Sequence, residues 1–130
     1  MLLRETARGE PVVVGIASPN PYVLWRVGPA GSIERSRDAG RTWQAQVSDV
    51  NEDLLAGSAP SPTVCWVVGR AGTILRSTDG EQWEKIPSPA VLDWVAVKAD
   101  DALHAAVAAA NHQRYATADG GKTWRGPLTK

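Results

Sequence analysis

Pro62-Thr63-Val64-Cys65-Trp66-Val67-Val68-Gly69-Arg70-Ala71-Gly72-Thr73-Ile74-Leu75-Arg76-Ser77-Thr78-Asp79 decides the fold, because the chain contains a second version of it. Laid without a gap over residues 21–38, the stretch is identical at 11 of 18 positions, among them Trp25/Trp66, Gly28/Gly69, Gly31/Gly72, Arg35/Arg76 and Asp38/Asp79. A third, weaker copy keeps Asp93 in the place of Asp53 and ends Thr117-Ala118-Asp119-Gly120-Gly121-Lys122-Thr123-Trp124. Its middle, Ala105 to Ala110, lacks the tryptophan and the first glycine. Trp43, Trp83 and Trp124 follow one another at 40 and 41 residues, and Asp38, Asp79 and Asp119 at 41 and 40. A period of that length marks units that bury their apolar surface only by stacking on each other.

The second unit shows what one period contains. Leu54–Ser58 reads as a first strand, closed by the breaker Ala59-Pro60-Ser61-Pro62. Val64–Val68 is a short continuous apolar run, the pattern of a strand buried on both faces. Gly69–Gly72 is a turn whose glycines take positive φ without a steric penalty. Thr73–Ser77 is a third strand, and Gln82–Ile86 a fourth that Pro87 and Pro89 end. The alanines of 105–110 favour a helix on propensity alone, but the repeat register places them on the buried second strand. The expectation is therefore all-β: three four-stranded antiparallel β-propeller blades at about 11–50, 51–90 and 91–130, in a single module over 1–130.

Each unit closes on a turn with its own chemistry. Ser36-Arg37-Asp38-Ala39-Gly40-Arg41-Thr42-Trp43 fits Ser-x-Asp-x-Gly-x-Thr-Trp throughout. The aspartate can accept the backbone N–H groups of its own turn, the glycine supplies the left-handed residue, and the tryptophan covers the blade's apolar edge. In the second copy, Ser77, Asp79, Gly80 and Trp83, the turn is one residue shorter; in the third, Thr117, Asp119, Gly121 and Trp124, threonine replaces serine. This pattern resembles the Asp-box, or bacterial neuraminidase repeat. The fuller unit, Trp-x-Val-Gly-x-Ala-Gly-x-Ile-x-Arg-Ser-x-Asp, is most similar to propellers of the photosystem II assembly and stability factor family. The resemblance covers about Val12 to Trp124. It implies a propeller fold and a structural role for all twelve box residues, and it does not by itself assign a function.

Three blades are fewer than such propellers need to close a ring. Two copies related by a two-fold axis would close a six-bladed ring; otherwise these blades are part of a longer propeller. An open stack with two apolar outer faces would aggregate, so the sequence predicts self-association into a homodimer.

Composition narrows the function. Fourteen basic residues, ten of them arginine, balance fourteen acidic ones, which argues against a nucleic-acid partner. No apolar run is long enough to span a bilayer as a helix, and Met1-Leu2-Leu3-Arg4-Glu5 has no apolar signal region, so membrane insertion is not expected and the compartment is left open. The single cysteine, Cys65, lies among apolar residues and reads as a buried, inert thiol. His104 and His112 are eight apart with no cysteine near them, which suits no zinc site. No metal and no cofactor are expected.

An Asp-box chain invites comparison with sialidases, which pair a tyrosine nucleophile with an acid and cluster arginines on the substrate carboxylate. Only Tyr22 and Tyr115 are present, and neither has an acidic partner recognisable in the sequence. The prediction is a non-catalytic binding or scaffold module for a protein or peptide, with a lectin-like propeller as the alternative and a sialidase-like fragment behind it. Recognition is expected on loops held by rigid blades. The candidates there are Arg70, Asn111 and His112 on turns between second and third strands, and Asp49, Asn51 and Glu52 on the first connection between blades. Arg35 and Arg76 recur at one blade position and are expected to pack their stems or pair with an acid of the neighbouring blade.

Overall fold

In a computed structural model, which describes residues 13–128, the chain forms twelve strands in three four-stranded antiparallel sheets, each sheet ordered as in the sequence. Blade one is β1 (Val14–Ala17), β2 (Leu24–Val27), β3 (Ile33–Ser36) and β4 (Gln44–Gln46). Blade two is β5 (Leu54–Ser58), β6 (Cys65–Gly69), β7 (Ile74–Ser77) and β8 (Glu84–Lys85). Blade three is β9 (Trp94–Ala99), β10 (Ala105–Ala109), β11 (Arg114–Thr117) and β12 (Arg125–Leu128). The first strands β1, β5 and β9 stand next to one another along the stack. This is the blade architecture expected of a propeller, and the alanine run is a strand.

Strand bounds in blade two shift for local reasons: β7 starts at Ile74 rather than Thr73, because Thr73 N–H donates to the Arg70 carbonyl at 3.1 Å. β6 starts at Cys65 rather than Val64, because Val64 N–H donates to Ser61 Oγ at 2.9 Å and so belongs to the preceding turn. β8 is shorter than Gln82–Ile86, because Gln82 N–H is held by Asp79 Oδ1 at 2.8 Å.

Because side chains alternate across a strand, each blade has a forward face and a back face. On blade one, the pairs Trp25↔Arg35 and Val27↔Ile33 point forward, into blade two. Blade two meets them with Cys65 and the pair Val67↔Leu75, all fully buried. Its own forward pairs, Trp66↔Arg76 and Val68↔Ile74, pack on Ala105, Val107 and Ala109 of blade three. The buried Trp94, at the position of Leu54, packs in the same cluster, with the Tyr115 ring edge-on at 5.6 Å.

Tryptophan pairs lock the blades. Trp25 meets Trp83 of blade two edge to face at 6.5 Å, and Trp66 meets Trp124 of blade three at 6.4 Å, a geometry favoured by the aromatic quadrupole. Every buried indole N–H finds an acceptor. Gln46 Oε1 takes both Trp25 and Trp83 at 3.3 and 2.9 Å, while Trp66 donates to the Asp101 carbonyl at 3.0 Å and Trp124 to the Pro87 carbonyl at 2.9 Å.

Candidate functional site

The box turns occupy one end of the blades. Ser36 Oγ accepts Gly40 N–H at 2.8 Å and donates to Asp38 Oδ1 at 2.8 Å. Asp38 in turn accepts Thr42 N–H at 2.8 Å and the Thr42 hydroxyl at 2.6 Å. Thr117, Asp119, Gly121 and Thr123 repeat the arrangement in blade three. In the shorter second turn, Asp79 Oδ1 accepts Glu81 and Gln82 N–H at 2.9 and 2.8 Å, and Ser77 Oγ accepts Gly80 N–H at 2.9 Å. These carboxylates are engaged by their own turns, Asp38 and Asp119 through both oxygens and Asp79 through Oδ1.

The same bonds stabilise the charged form of each aspartate. The Thr42 hydroxyl, then Thr42 N–H, then Ser36 lower Asp38 from 3.8 to about 2, and Thr123 and Thr117 do the same to Asp119, also to about 2. A carboxyl whose pKa is lowered on folding adds stability above its unfolded value, and that contribution is lost as pH falls through the folded value. Stability is therefore expected to hold down to about pH 4 and to decline from there to about pH 2. Urea titrations across that window check it; the Asp38→Asn/Asp119→Asn pair should decline less steeply.

Arginines tie this end across blades. Arg35, buried on β3, gives Nη1 to Glu81 Oε2 and Nη2 to the Pro62 carbonyl, both at 2.8 Å and both in blade two. Arg76 reaches the Ala102 and Gly120 carbonyls of blade three at 2.8 and 3.3 Å, and its Nη2 pairs with Glu84 Oε2 of its own blade at 2.6 Å. Gln44 stands opposite Arg35 where Glu84 stands opposite Arg76, and Arg35 Nε is left without a partner.

The opposite end carries the loops singled out in the sequence, and here the connections between blades are bonded to the turns. Asp53 Oδ1 accepts Ala30 N–H at 3.0 Å, and Asp93 Oδ1 accepts Ala71 N–H at 2.9 Å. Arg70 lies between those two aspartates, 3.4 Å from each. The backbone follows the same path: Arg70 N–H donates to the Asp53 carbonyl, Gly72 N–H to the Leu92 carbonyl and Ala110 N–H to the Asp93 carbonyl, at 3.0, 2.7 and 3.2 Å. Opposite charges at 3.4 Å on a solvated surface hold little energy; the order of this end comes from the backbone bonds, and Arg70 places a cation between the two carboxylates. The result is a continuous polar ridge, Asp53–Arg70–Asp93, running from the first turn to the third.

The remaining candidates fall along or beside it. Asn111 and His112 form the exposed third turn; Asn111 Oδ1 caps Gln113 N–H at 3.0 Å, and His112 has φ 73° where blades one and two have glycine. Glu52 lines a hollow of about 240 Å³ with Val50, Thr73 and Lys85. Asp49 and Asn51 are exposed on the same connection, Asp49 at φ 64°. Sequence reasoning missed Asp53 and Asp93 as the groups that order this end, although the Asp53/Asp93 match was itself the signal.

Among the described residues, neither tyrosine hydroxyl is hydrogen-bonded to an acidic side chain. Tyr115 packs on Trp94, and Tyr22 is exposed with its backbone N–H on Asn20 Oδ1. Cys65 is fully buried, and burial raises its thiol pKa. His104 is exposed, and its ring lies 2.9 Å from Asp101. Among the described residues, no group of three acidic, histidine or cysteine side chains suits a metal ion, and no helix is long and apolar enough to cross a membrane. Of the tryptophans, Trp25, Trp66 and Trp94 are fully buried, and Trp83 and Trp124 are spent between blades.

Residues 5–129 match the family described as Photosynthesis system II assembly factor YCF48. No curated protein matches the chain. Among solved structures, a YCF48 bound to D1 peptide is similar at 25% identity and a TM-score of 0.73, over 88% of this chain and 43% of that one. YCF48 from Cyanidioschyzon merolae is similar at 29% identity and a TM-score of 0.77, over 88% of this chain and 36% of that one. The chain thus spans about two-fifths of the length of either neighbour.

Proposed function

Since this chain belongs to the YCF48 family of photosystem II assembly factors, we propose that it is a non-catalytic module that recognises a segment of another protein. The observation that carries this reading is the similar YCF48 structure, which holds a peptide. The geometry agrees with it. The box carboxylates are bonded within their own turns, whereas the loop end offers a ridge of alternating charge beside the exposed side chains of Asn111 and His112. A rigid surface of fixed donors and acceptors binds an extended segment without a large ordering cost of its own. The partner's identity is not carried over from the neighbour, and no observation favours a sugar ligand.

Selection from a random peptide library followed by calorimetry tests the reading. The expected result is a set of peptides that bind the parent chain and lose at least about ten-fold in affinity, or ~1.4 kcal/mol, with Arg70→Ala or with Asn111→Ala/His112→Ala. Peptides indifferent to all these changes would place recognition elsewhere. Hits on a glycan array with none from the peptide library, or turnover of a fluorogenic sialoside, would overturn the proposal.

A further inference from the structure

The two outer faces of the stack do not repeat the two inner interfaces. The forward positions that hold Trp25, Val27, Ile33 and Arg35 in blade one, and Trp66, Val68, Ile74 and Arg76 in blade two, hold Ala106, Ala108, Arg114 and Ala116 in blade three. The indole that receives the next blade's tryptophan and the arginine that reaches the next blade's turn are both gone. An exposed cation stands where the isoleucine would be.

The back of blade one departs in the same sense. Val67 and Leu75 of blade two, fully buried against blade one, correspond to Arg26 and Glu34, which form an ion pair at 2.6 Å with both side chains about a third exposed. Trp83 and Trp124 each meet an indole of the preceding blade. Trp43 instead has the Arg26 guanidinium 4.1 Å from its ring centroid, over its own blade. A hollow of about 400 Å³ marks where an incoming indole would lie; Val13, Ile16, Ala17, Leu24 and Trp43 line it together with Arg26, whose guanidinium covers the Trp43 ring.

Terminal units of stacked repeats stay soluble by carrying polar outer faces, and a cation over a tryptophan ring hydrates one side of it while holding the other. We propose that both outer faces are finished surfaces: the three blades stand as an open, self-capped arc, and the ring-closing homodimer anticipated from the repeat count does not form through them. Each outer face carries charge where the inner interfaces are apolar, Arg26 and Glu34 on one and Arg114 on the other.

Native mass spectrometry and light scattering on the full chain, with and without Arg114→Glu, test this. Ring closure would bring Arg114 of one copy towards Glu34 of the other, as Ile33 lies towards Leu75 within the chain, so reversing the exposed Arg114 would set two carboxylates together. The expected mass is 13.9 kDa for both chains. A dimer that Arg114→Glu leaves intact would place association elsewhere and still leave the end faces in water. A parent mass twice 13.9 kDa that falls to 13.9 kDa with Arg114→Glu would overturn the proposal. Circular dichroism of the variant confirms that it is folded.

Discussion

Trp66→Ala is expected to lower the unfolding free energy by ~3–5 kcal/mol, the range for removing a large aromatic side chain from a packed interior. Trp66 is fully buried where blades two and three meet. Its ring faces the edge of Trp124 at 6.4 Å, its N–H satisfies the Asp101 carbonyl at 3.0 Å, and Arg76 lies 5.5 Å above it. The truncation opens a cavity, removes the donor from a carbonyl and frees an arginine that spans two blades. Small domains hold only about 5–15 kcal/mol in all, so this one change should remove a large share of the total. Trp43→Ala provides the contrast: that ring is half-buried at an end face and meets no other tryptophan, so its loss should cost much less. Urea denaturation followed by circular dichroism reads both, and equal costs would contradict the interface account.

Gly31→Ala should cost ~2–5 kcal/mol by a different route. At φ +76° an added Cβ would lie 2.1 Å from the Val50 carbonyl oxygen and 2.7 Å from Ser48 Oγ. The left-handed conformation accounts for ~1–2 kcal/mol and the forced displacement of the connection for ~1–3 more. Gly40→Ala separates the two, because at φ +90° its nearest neighbours would be at 3.6 Å, ordinary contact. Gly40→Ala should therefore show the conformational part alone. A Gly31→Ala cost no greater than that of Gly40→Ala would mean that the connection over the first turn yields easily, and the ridge built on it would not be rigid.

The fold was legible because its signals are local and repeated. Two gapless copies set the strand order, the glycines marked the turns, and the third copy's box ending kept Ala105–Ala109 in register as a strand against its helical propensity. What joins one blade to the next was legible only in outline. Gln46 bridges Trp25 and Trp83, and Arg35 reaches Pro62 and Glu81, over separations that no repeat pattern encodes. Arg70 was singled out as a loop residue, but its two aspartate partners come from connections on either side of its blade. The end faces show the limit most clearly. The loss of the third tryptophan was visible in the sequence, but only the pairing of Ala106 with Ala116 shows that the tryptophan and the arginine were lost from the same face.

Recognition at the loop end is the central claim, and amide hydrogen exchange with and without a selected peptide tests it most directly. The predicted result is slowed exchange at residues 28–32, 46–53, 69–73, 87–93 and 109–113, the turns and connections joined by Asp53, Arg70 and Asp93. Protection confined to the box turns at 36–43, 77–83 and 117–124, with none at the loop end, would contradict it.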